Sequence, residues 1–80
     1  MRHSQLKAFH YVALLGGFSR AAEALHLTQP AISEQVRKLE QEHDVLLFSR
    51  DRKRVQLTEA GEQLFLRTKQ YFEIELQIHD

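Results

Sequence analysis

Residues 18–33 read FSRAAEALHLTQPAIS, and this stretch decides the fold. Ser19 and Thr28 are residue types that cap helices, since their hydroxyl oxygens accept hydrogen bonds from backbone N–H groups of the first turn. Pro30 falls in the first turn of the second helix, where its missing N–H costs nothing. His26 stands in the connection, where a left-handed backbone is often needed, and histidine tolerates a positive φ better than most residues. The stretch therefore predicts a helix-turn-helix, two short helices joined by a tight turn.

The second of these helices has two different faces. Ile32, Val36 and Leu39 recur at helical spacing and are expected to face inward, and Leu27 is expected to fill the corner of the turn. The outer face is polar, and its first turn is free to enter a DNA major groove about 12 Å wide. Helical hairpins that never bind DNA share this spacing, so the pattern alone leaves the function open.

The flanking segments extend the predicted fold on both sides. A helix capped by Ser4 is expected over residues 5–15, ended by a pair of glycines. Residues 45–48 and 55–57 are short runs rich in β-forming residues, separated by a basic stretch, and they predict a two-stranded hairpin. A basic hairpin beside a helix-turn-helix is placed to reach DNA phosphates or the minor groove.

The final helix is predicted to begin after its cap Thr58 and to run to the end of the chain. Its apolar residues cover an arc of about 200°, wider than packing on a single surface needs. The predicted fold class is therefore mainly α with a small β-hairpin. Residues 1–58 form a winged helix-turn-helix, a three-helix bundle plus wing, and residues 59–80 form a long helix that meets a partner.

The charge of the chain is unevenly distributed. Its 80 residues carry 11 basic and 11 acidic side chains, for a net charge of zero. Residues 1–58 hold nine basic and six acidic side chains, a net +3, whereas residues 59–80 hold two and five, a net −3. Four of the five residues 50–54 are basic. The asymmetry fits a nucleic-acid surface and equally fits a charged hairpin tip arising by chance.

Composition argues against several other classes. The chain has no cysteine, which excludes disulfides and thiolate metal sites. No two of its five histidines have the spacing of metal ligands, and nothing groups as a catalytic triad or a phosphate loop, so neither a metal site, a cofactor nor an enzyme is expected. No apolar run is long enough to cross a membrane or to act as a signal peptide, so we expect a cytoplasmic protein.

Three segments resemble the N-terminal signature of LysR-type transcriptional regulators. They are the stretch of residues 18–33, LFSR at residues 47–50 and VQLTEAG at residues 55–61. The resemblance spans roughly residues 4–66 without gaps. It implies a bacterial transcription factor that binds an inverted repeat of double-stranded DNA as a homodimer or tetramer.

The same resemblance assigns a role to the final helix and to a region beyond it. Residues 59–80 correspond to the linker helix, which pairs antiparallel with its twin, and the dimer contacts are expected at Phe65, Phe72 and Leu76. A domain that binds a small-molecule effector would normally follow, so the chain is interpreted as a DNA-binding fragment. RNA polymerase is a further partner that the resemblance implies.

The resemblance, together with the chemistry of each side chain, predicts the DNA contacts. Base contacts are expected from the start of the recognition helix, at Gln29, Pro30, Ser33 and Glu34. Backbone contacts are expected from Arg20, Thr28, Arg37 and Arg50. Wing contacts are expected from Arg52, Lys53 and Arg54.

The chain departs from the family pattern at two places in this region. Many relatives carry a basic residue where this chain has Glu34, which could accept from cytosine N4 or pair with Lys38 one turn on. Relatives tend to have Leu-Gly where this chain has His43-Asp44, and aspartate takes a helix C-cap conformation less well than glycine.

Two other functions fit parts of the same sequence. A winged-helix repressor of another family would share the predicted elements without a separate effector domain. A helical protein-interaction module that never binds DNA would explain the wide apolar arc of the final helix and the zero net charge. Salt-dependent DNA binding would distinguish both kinds of DNA-binding regulator from the protein-interaction module, which lacks it.

Overall fold

The computed structural model describes residues 2–49 and 54–79, the last five of them by their backbone alone. The chain forms four α-helices in this order: α1 His3–Leu15, α2 Phe18–Leu25, α3 Gln29–Glu42 and α4 Glu59–His79. The predicted helices are therefore confirmed, but the predicted cap at Ser19 is wrong, because α2 begins at Phe18 with Gly17 as its N-cap.

The first helix begins earlier than the sequence predicts. It starts at His3, not after Ser4, because the Gln5 side chain reaches back and its Oε1 accepts from the backbone N–H of Arg2 at 3.3 Å. The helix ends at Gly16, whose φ of 77° lies in the left-handed region that glycine adopts without steric cost.

The core lies where α1, α2 and α3 meet. Phe9, Val12, Ile32 and Leu39 are almost fully buried there, and Ala21 on α2 lets the helices approach closely. The inward face predicted for the third helix is thus confirmed. Burial of this face leaves the opposite side of α3 toward solvent.

The wing is reduced in the described residues to its base. Phe48 and Leu57 form one antiparallel bridge, and the backbone N–H of Ser49 donates to the carbonyl of Gln56 at 2.8 Å. Residues 50–53, which include the predicted tip, lie outside the described residues. The two runs therefore pair as predicted, but as a single bridge and not as two regular strands in the described part.

The final helix is fixed at its start to the segment that follows α3. Thr58 caps α4 as predicted, since its Oγ1 accepts from the backbone N–H of Gly61 at 3.0 Å, and its hydroxyl donates to the Leu46 carbonyl at 2.6 Å. Gly61 is required by this close approach, because a Cβ there would overlap the carbonyl oxygen of Leu47.

Candidate nucleic-acid interface

The turn before α3 is set by His26. Its φ of 57° and ψ of 41° are left-handed, as the sequence predicts, and the backbone N–H groups of His26 and Leu27 return to the carbonyls of Glu23 and Ala22. These two bonds form a Schellman motif, which satisfies the last carbonyls of α2. The prediction that Leu27 fills the corner is wrong: the side chain is 53% exposed, because this backbone turn projects it toward solvent.

The first turn of α3 is exposed and capped. Thr28 accepts from the backbone N–H of Ala31 at 3.2 Å, which confirms the predicted cap and leaves its hydroxyl proton available. Gln29 and Pro30 are exposed, and Ser33 is half-buried one turn further. Gln29 Nε2 donates to Ser33 Oγ at 3.0 Å. The side chains expected to read bases therefore lie together at an accessible helix start.

The next turn carries a chain of hydrogen bonds centred on Arg37. Its Nε and Nη2 donate to the two carboxylate oxygens of Glu34 at 2.8 and 2.9 Å, and its Nη1 donates to Gln41 Oε1 at 3.0 Å. The hydrogen bonds from Arg37 hold the pKa of Glu34 below its ordinary value. A pair with Lys38 was one of the two alternatives for Glu34, and the observed partner is Arg37, because spacings of three and four residues are both within reach on a helix.

We name the exposed side of α3 the reading face. It consists of Gln29, Pro30, Ser33, Glu34, Arg37 and Gln41. Apart from the adjacent pairs Gln29–Pro30 and Ser33–Glu34, its members are three or four residues apart and so lie along one side of the helix. The face therefore presents amide, hydroxyl, carboxylate and guanidinium groups in a single row.

The predicted backbone and wing contacts are only partly described. Arg20 on α2 is exposed, and its Nη1 donates to the carbonyl of Leu15 at the end of α1 at 3.3 Å. Arg54 is exposed at the base of the wing. Arg50, Arg52 and Lys53 lie outside the described residues. Arg20 and Arg54 are thus accessible to a phosphate.

A buried carboxylate that the sequence analysis missed positions the wing. Glu40 lies on the inner side of α3 and is 6% exposed. Its Oε2 accepts from the backbone N–H of Leu47 at 2.7 Å and of Phe48 at 3.3 Å. These bonds tie the base of the wing to the helix that carries the reading face. Helical periodicity signals Glu40 only by placing it beside Leu39 and Val36 on the buried side.

The connection from α3 to the wing uses a strained residue. Asp44 has a φ of 50°, and the N–H groups of Asp44 and Val45 return to the carbonyls of Gln41 and Glu40. This is a second Schellman motif, and its left-handed position favours glycine. The helix end is therefore closed by a motif that favours glycine, with Asp44 in the left-handed position.

The residues expected at a dimer interface are placed differently from the prediction. Phe72 is 8% exposed, and its ring lies 4.7 Å from that of His10 on α1 of the same chain. Phe65 is half-buried against the same histidine at 5.4 Å. These aromatic side chains therefore pack inside the chain, since α4 folds back on α1. The side chain of Leu76 lies outside the described residues.

Several large apolar side chains of α4 are exposed, although Tyr71 also lies 5.9 Å from the ring of His3 on α1. Leu66, Tyr71 and Ile74 are 56%, 44% and 56% exposed. Within the described residues, no cluster of three His, Asp or Glu side chains could hold a metal ion. Nor does any helix in that part of the chain combine the length and apolar character that a membrane span requires.

Comparison with known protein families finds a match over most of the chain. The profile described as bacterial regulatory helix-turn-helix protein, lysR family, matches residues 3–62. The RuBisCO operon transcriptional regulator of Allochromatium vinosum is 54% identical over 61 residues, which are 76% of this chain and 20% of that protein. An uncharacterized HTH-type transcriptional regulator of Azotobacter vinelandii is 52% identical over 64 residues, 80% of this chain and 44% of that protein. The chain spans less than half the length of these relatives.

Solved structures match the whole fold, including α4. The DNA-binding domain of BenM in complex with catB site 1 DNA has a TM-score of 0.90 at 27% identity, covering 98% of this chain and 88% of that one. The DNA-binding domain of CbnR in complex with DNA has a TM-score of 0.85 at 34% identity, covering 100% and 92%. A full-length OxyR variant from Pseudomonas aeruginosa has a TM-score of 0.88 at 35% identity, covering 99% of this chain and 27% of that one. The winged helix-turn-helix fold class is thereby confirmed.

Proposed function

Because the chain belongs to the LysR family of bacterial regulatory helix-turn-helix proteins, we propose that it binds double-stranded DNA sequence-specifically as part of a transcriptional regulator. The recognition helix α3 enters the major groove, and the wing lies at the backbone or the minor groove. The observation that carries the proposal is the reading face, an accessible row of hydrogen-bonding side chains on a helix whose other side is buried. The DNA complexes of BenM and CbnR, which share this fold, support it.

The first turn of α3 supplies the proposed base contacts. The Gln29 amide can donate to N7 and accept from N6 of an adenine, and the Ser33 hydroxyl can bond a base or the backbone. In the free chain these two side chains bond each other. When the chain binds DNA, this bond is exchanged for bonds to a base. The number of hydrogen bonds then changes little, and the helix binds without reorganising.

Phosphate contacts surround this turn in the proposal. The backbone N–H of Gln29 at the start of α3, the Thr28 hydroxyl and the exposed Arg20 can each bond a phosphate oxygen. Arg54 at the base of the wing adds a positive charge, and Arg50, Arg52 and Lys53 are assigned to the same role from the sequence. These contacts fix register and carry the salt dependence of binding.

Dimerisation through α4 is the second part of the proposal. Tyr71 and Ile74 are exposed apolar side chains, whereas Phe72 is buried against His10 of its own chain. We therefore assign the contact between copies to Tyr71 and Ile74 in place of Phe65 and Phe72. Two recognition helices would then read half-sites about 34–36 Å apart, or a multiple of this, on an inverted repeat.

The rest of the proposed protein lies beyond this chain. Since the chain spans 20% of the Allochromatium relative, we propose a longer regulator with a separate effector-binding domain and an assembly of dimers or tetramers. Contact with RNA polymerase and action in the bacterial cytoplasm belong to the same proposal, because the bacterial genome and its transcription are located there.

Selection of bound duplexes from random-sequence DNA tests the proposal. We expect an inverted-repeat motif and an affinity that falls steeply with salt. Gln29→Ala should reduce preference at one position of each half-site, whereas Arg54→Ala should weaken all sequences and lower the salt slope by about one. Weak, salt-insensitive retention of DNA without an enriched motif would favour the protein-interaction module.

Dimerisation is tested with a matched pair of variants. Ile74→Glu replaces an exposed apolar side chain of α4 with a charged one and should give folded monomers in sedimentation, with weak half-site binding. Phe72→Glu buries a charge against α1 and should destabilise the fold itself. Dimers that persist in Ile74→Glu would overturn the assignment of the contact to these exposed side chains.

A further inference from the structure

The guanidinium of Arg37 is held from two sides on the reading face. One edge, Nε and Nη2, is bound to the Glu34 carboxylate at 2.8 and 2.9 Å, and Nη1 is bound to Gln41 at 3.0 Å. An arginine has five N–H donors, and these bonds use one on each of its three nitrogens. One N–H therefore remains on each terminal nitrogen, two donors on one planar group.

Two such donors match the acceptor pair of one base. Guanine presents O6 and N7 together in the major groove, and a bidentate arginine is the commonest specific contact to it. Arg37 lies two turns beyond Gln29 along the reading face. A row from Gln29 through Ser33 to Arg37 is thus long enough to reach successive base pairs of one half-site.

The partner of Arg37 changes what this side chain does near DNA. An unpaired arginine is a mobile cation that any phosphate can bind, and it adds affinity without sequence preference. Glu34 is half-exposed, carries a lowered pKa because Arg37 donates to it, and so stays ionised at neutral pH. The pair has no net charge, which reduces its attraction to phosphate, and its planar group is oriented before DNA arrives.

We propose that Glu34 is a positioning residue that directs Arg37 to a guanine in the major groove, which makes the pair a determinant of sequence specificity. The inference rests on the DNA binding proposed above. It replaces both roles expected from the sequence, a phosphate contact for Arg37 and a cytosine contact for Glu34.

The test compares the motifs that variants of this chain select from random-sequence duplexes. Glu34→Gln removes the charge and the bidentate partner, and Arg37→Lys keeps the positive charge but removes the planar fork. We expect both to lower the preference for guanine at one position of each half-site about tenfold. Glu34→Gln should also bind mixed-sequence DNA more tightly, whereas Arg37→Lys should leave the salt slope unchanged.

Lys38→Gln is the matched control, since Lys38 is an exposed cation next to Arg37 on the same helix. It should weaken all sequences alike and leave the motif intact. A Glu34→Gln motif identical to that of the wild type, with uniformly tighter binding, would overturn the inference and leave the DNA-binding proposal standing. If Arg37→Lys kept the preference for guanine, this would also overturn the inference and leave the DNA-binding proposal standing. A wild-type chain that enriches no motif would overturn both proposals.

Discussion

Polar side chains occupy two contrasting regions of this molecule, the reading face of α3 and the buried contacts behind it. On the reading face, Gln29 bonds Ser33 and Arg37 bonds Glu34, each within one turn of the same helix. Behind it, Glu40 bonds the backbone at Leu47, and His10 Nδ1 lies 2.9 Å from Thr68 Oγ1, across 58 residues of chain.

The difference separates binding from architecture. Exposed hydrogen bonds between near neighbours can be exchanged for bonds to another molecule, because water can hydrogen-bond to either group in the meantime. Buried bonds between distant elements have no such substitute, so breaking one leaves a polar group without a partner. The first set is suited to change on binding DNA, and the second fixes where α3, the wing and α4 lie.

The largest expected effect comes from the buried carboxylate. Glu40→Ala leaves the N–H groups of Leu47 and Phe48 without their acceptor in a buried site, and should lower the free energy of unfolding by about 2–4 kcal/mol. Urea denaturation followed by circular dichroism measures this. Glu23→Ala, an exposed carboxylate on α2, is the control and should unfold like the wild type. Equal effects in the two variants would remove the contrast between the regions.

A smaller loss is expected where α4 meets α1. Thr68 donates to the carbonyl of Phe65 at 3.2 Å, so the bond with His10 has the histidine Nδ1–H as donor. Thr68→Val is nearly isosteric and leaves that donor unpaired, at a cost of about 1–3 kcal/mol in unfolding free energy. The same change in a His10→Leu background should cost less, since no buried donor is then orphaned. Equal costs in both backgrounds would mean that the loss of the His10–Thr68 hydrogen bond does not cause the destabilisation.

The same histidine makes the α1–α4 contact sensitive to acid. Burial, and then the positive charge of Lys69, lower the pKa of His10 below its ordinary 6.5. As the pH falls below about 6.5, this histidine takes up a proton in the unfolded chain but resists it in the folded chain. The contribution of His10 to the free energy of unfolding is therefore constant above that pH and declines below it. The measurement is the pH dependence of the difference in unfolding free energy between wild type and His10→Leu. This difference should decline below about pH 6.5, and a difference that does not change with pH would mean that His10 is readily protonated in the fold.

Much of the reading face could be predicted from the sequence because its causes are local. The cap at Thr28, the left-handed turn at His26 and the inward face of Ile32 each depend on residues within a few positions. The choice of Arg37 over Lys38 as the partner of Glu34 was not predictable, since both spacings are permitted on a helix.

The buried contacts were missed because their partners lie on other elements of the fold. Periodicity places Glu40 on the buried side of α3 but does not show its partner, and the bonds of Glu40 and His10 exist only once the wing and α4 have docked. The internal role of Phe72 was missed for the same reason, because an apolar arc does not show which part of it folds back on its own chain. The prediction for Leu27 was wrong for a different reason. The direction of a side chain that follows a left-handed residue depends on the geometry of the turn itself.

The smallest expected change in stability is at the reading face itself. Glu34→Gln breaks an ion pair whose side chains are 47% and 55% exposed, and exposed pairs contribute little to folding because water competes for both partners. Its urea denaturation curve should coincide with that of the wild type, while its preference among DNA sequences changes. A destabilisation as large as that of Glu40→Ala would mean that Arg37 and Glu34 hold α3 in place, and the pair would then belong with the architectural contacts and not with the exchangeable ones.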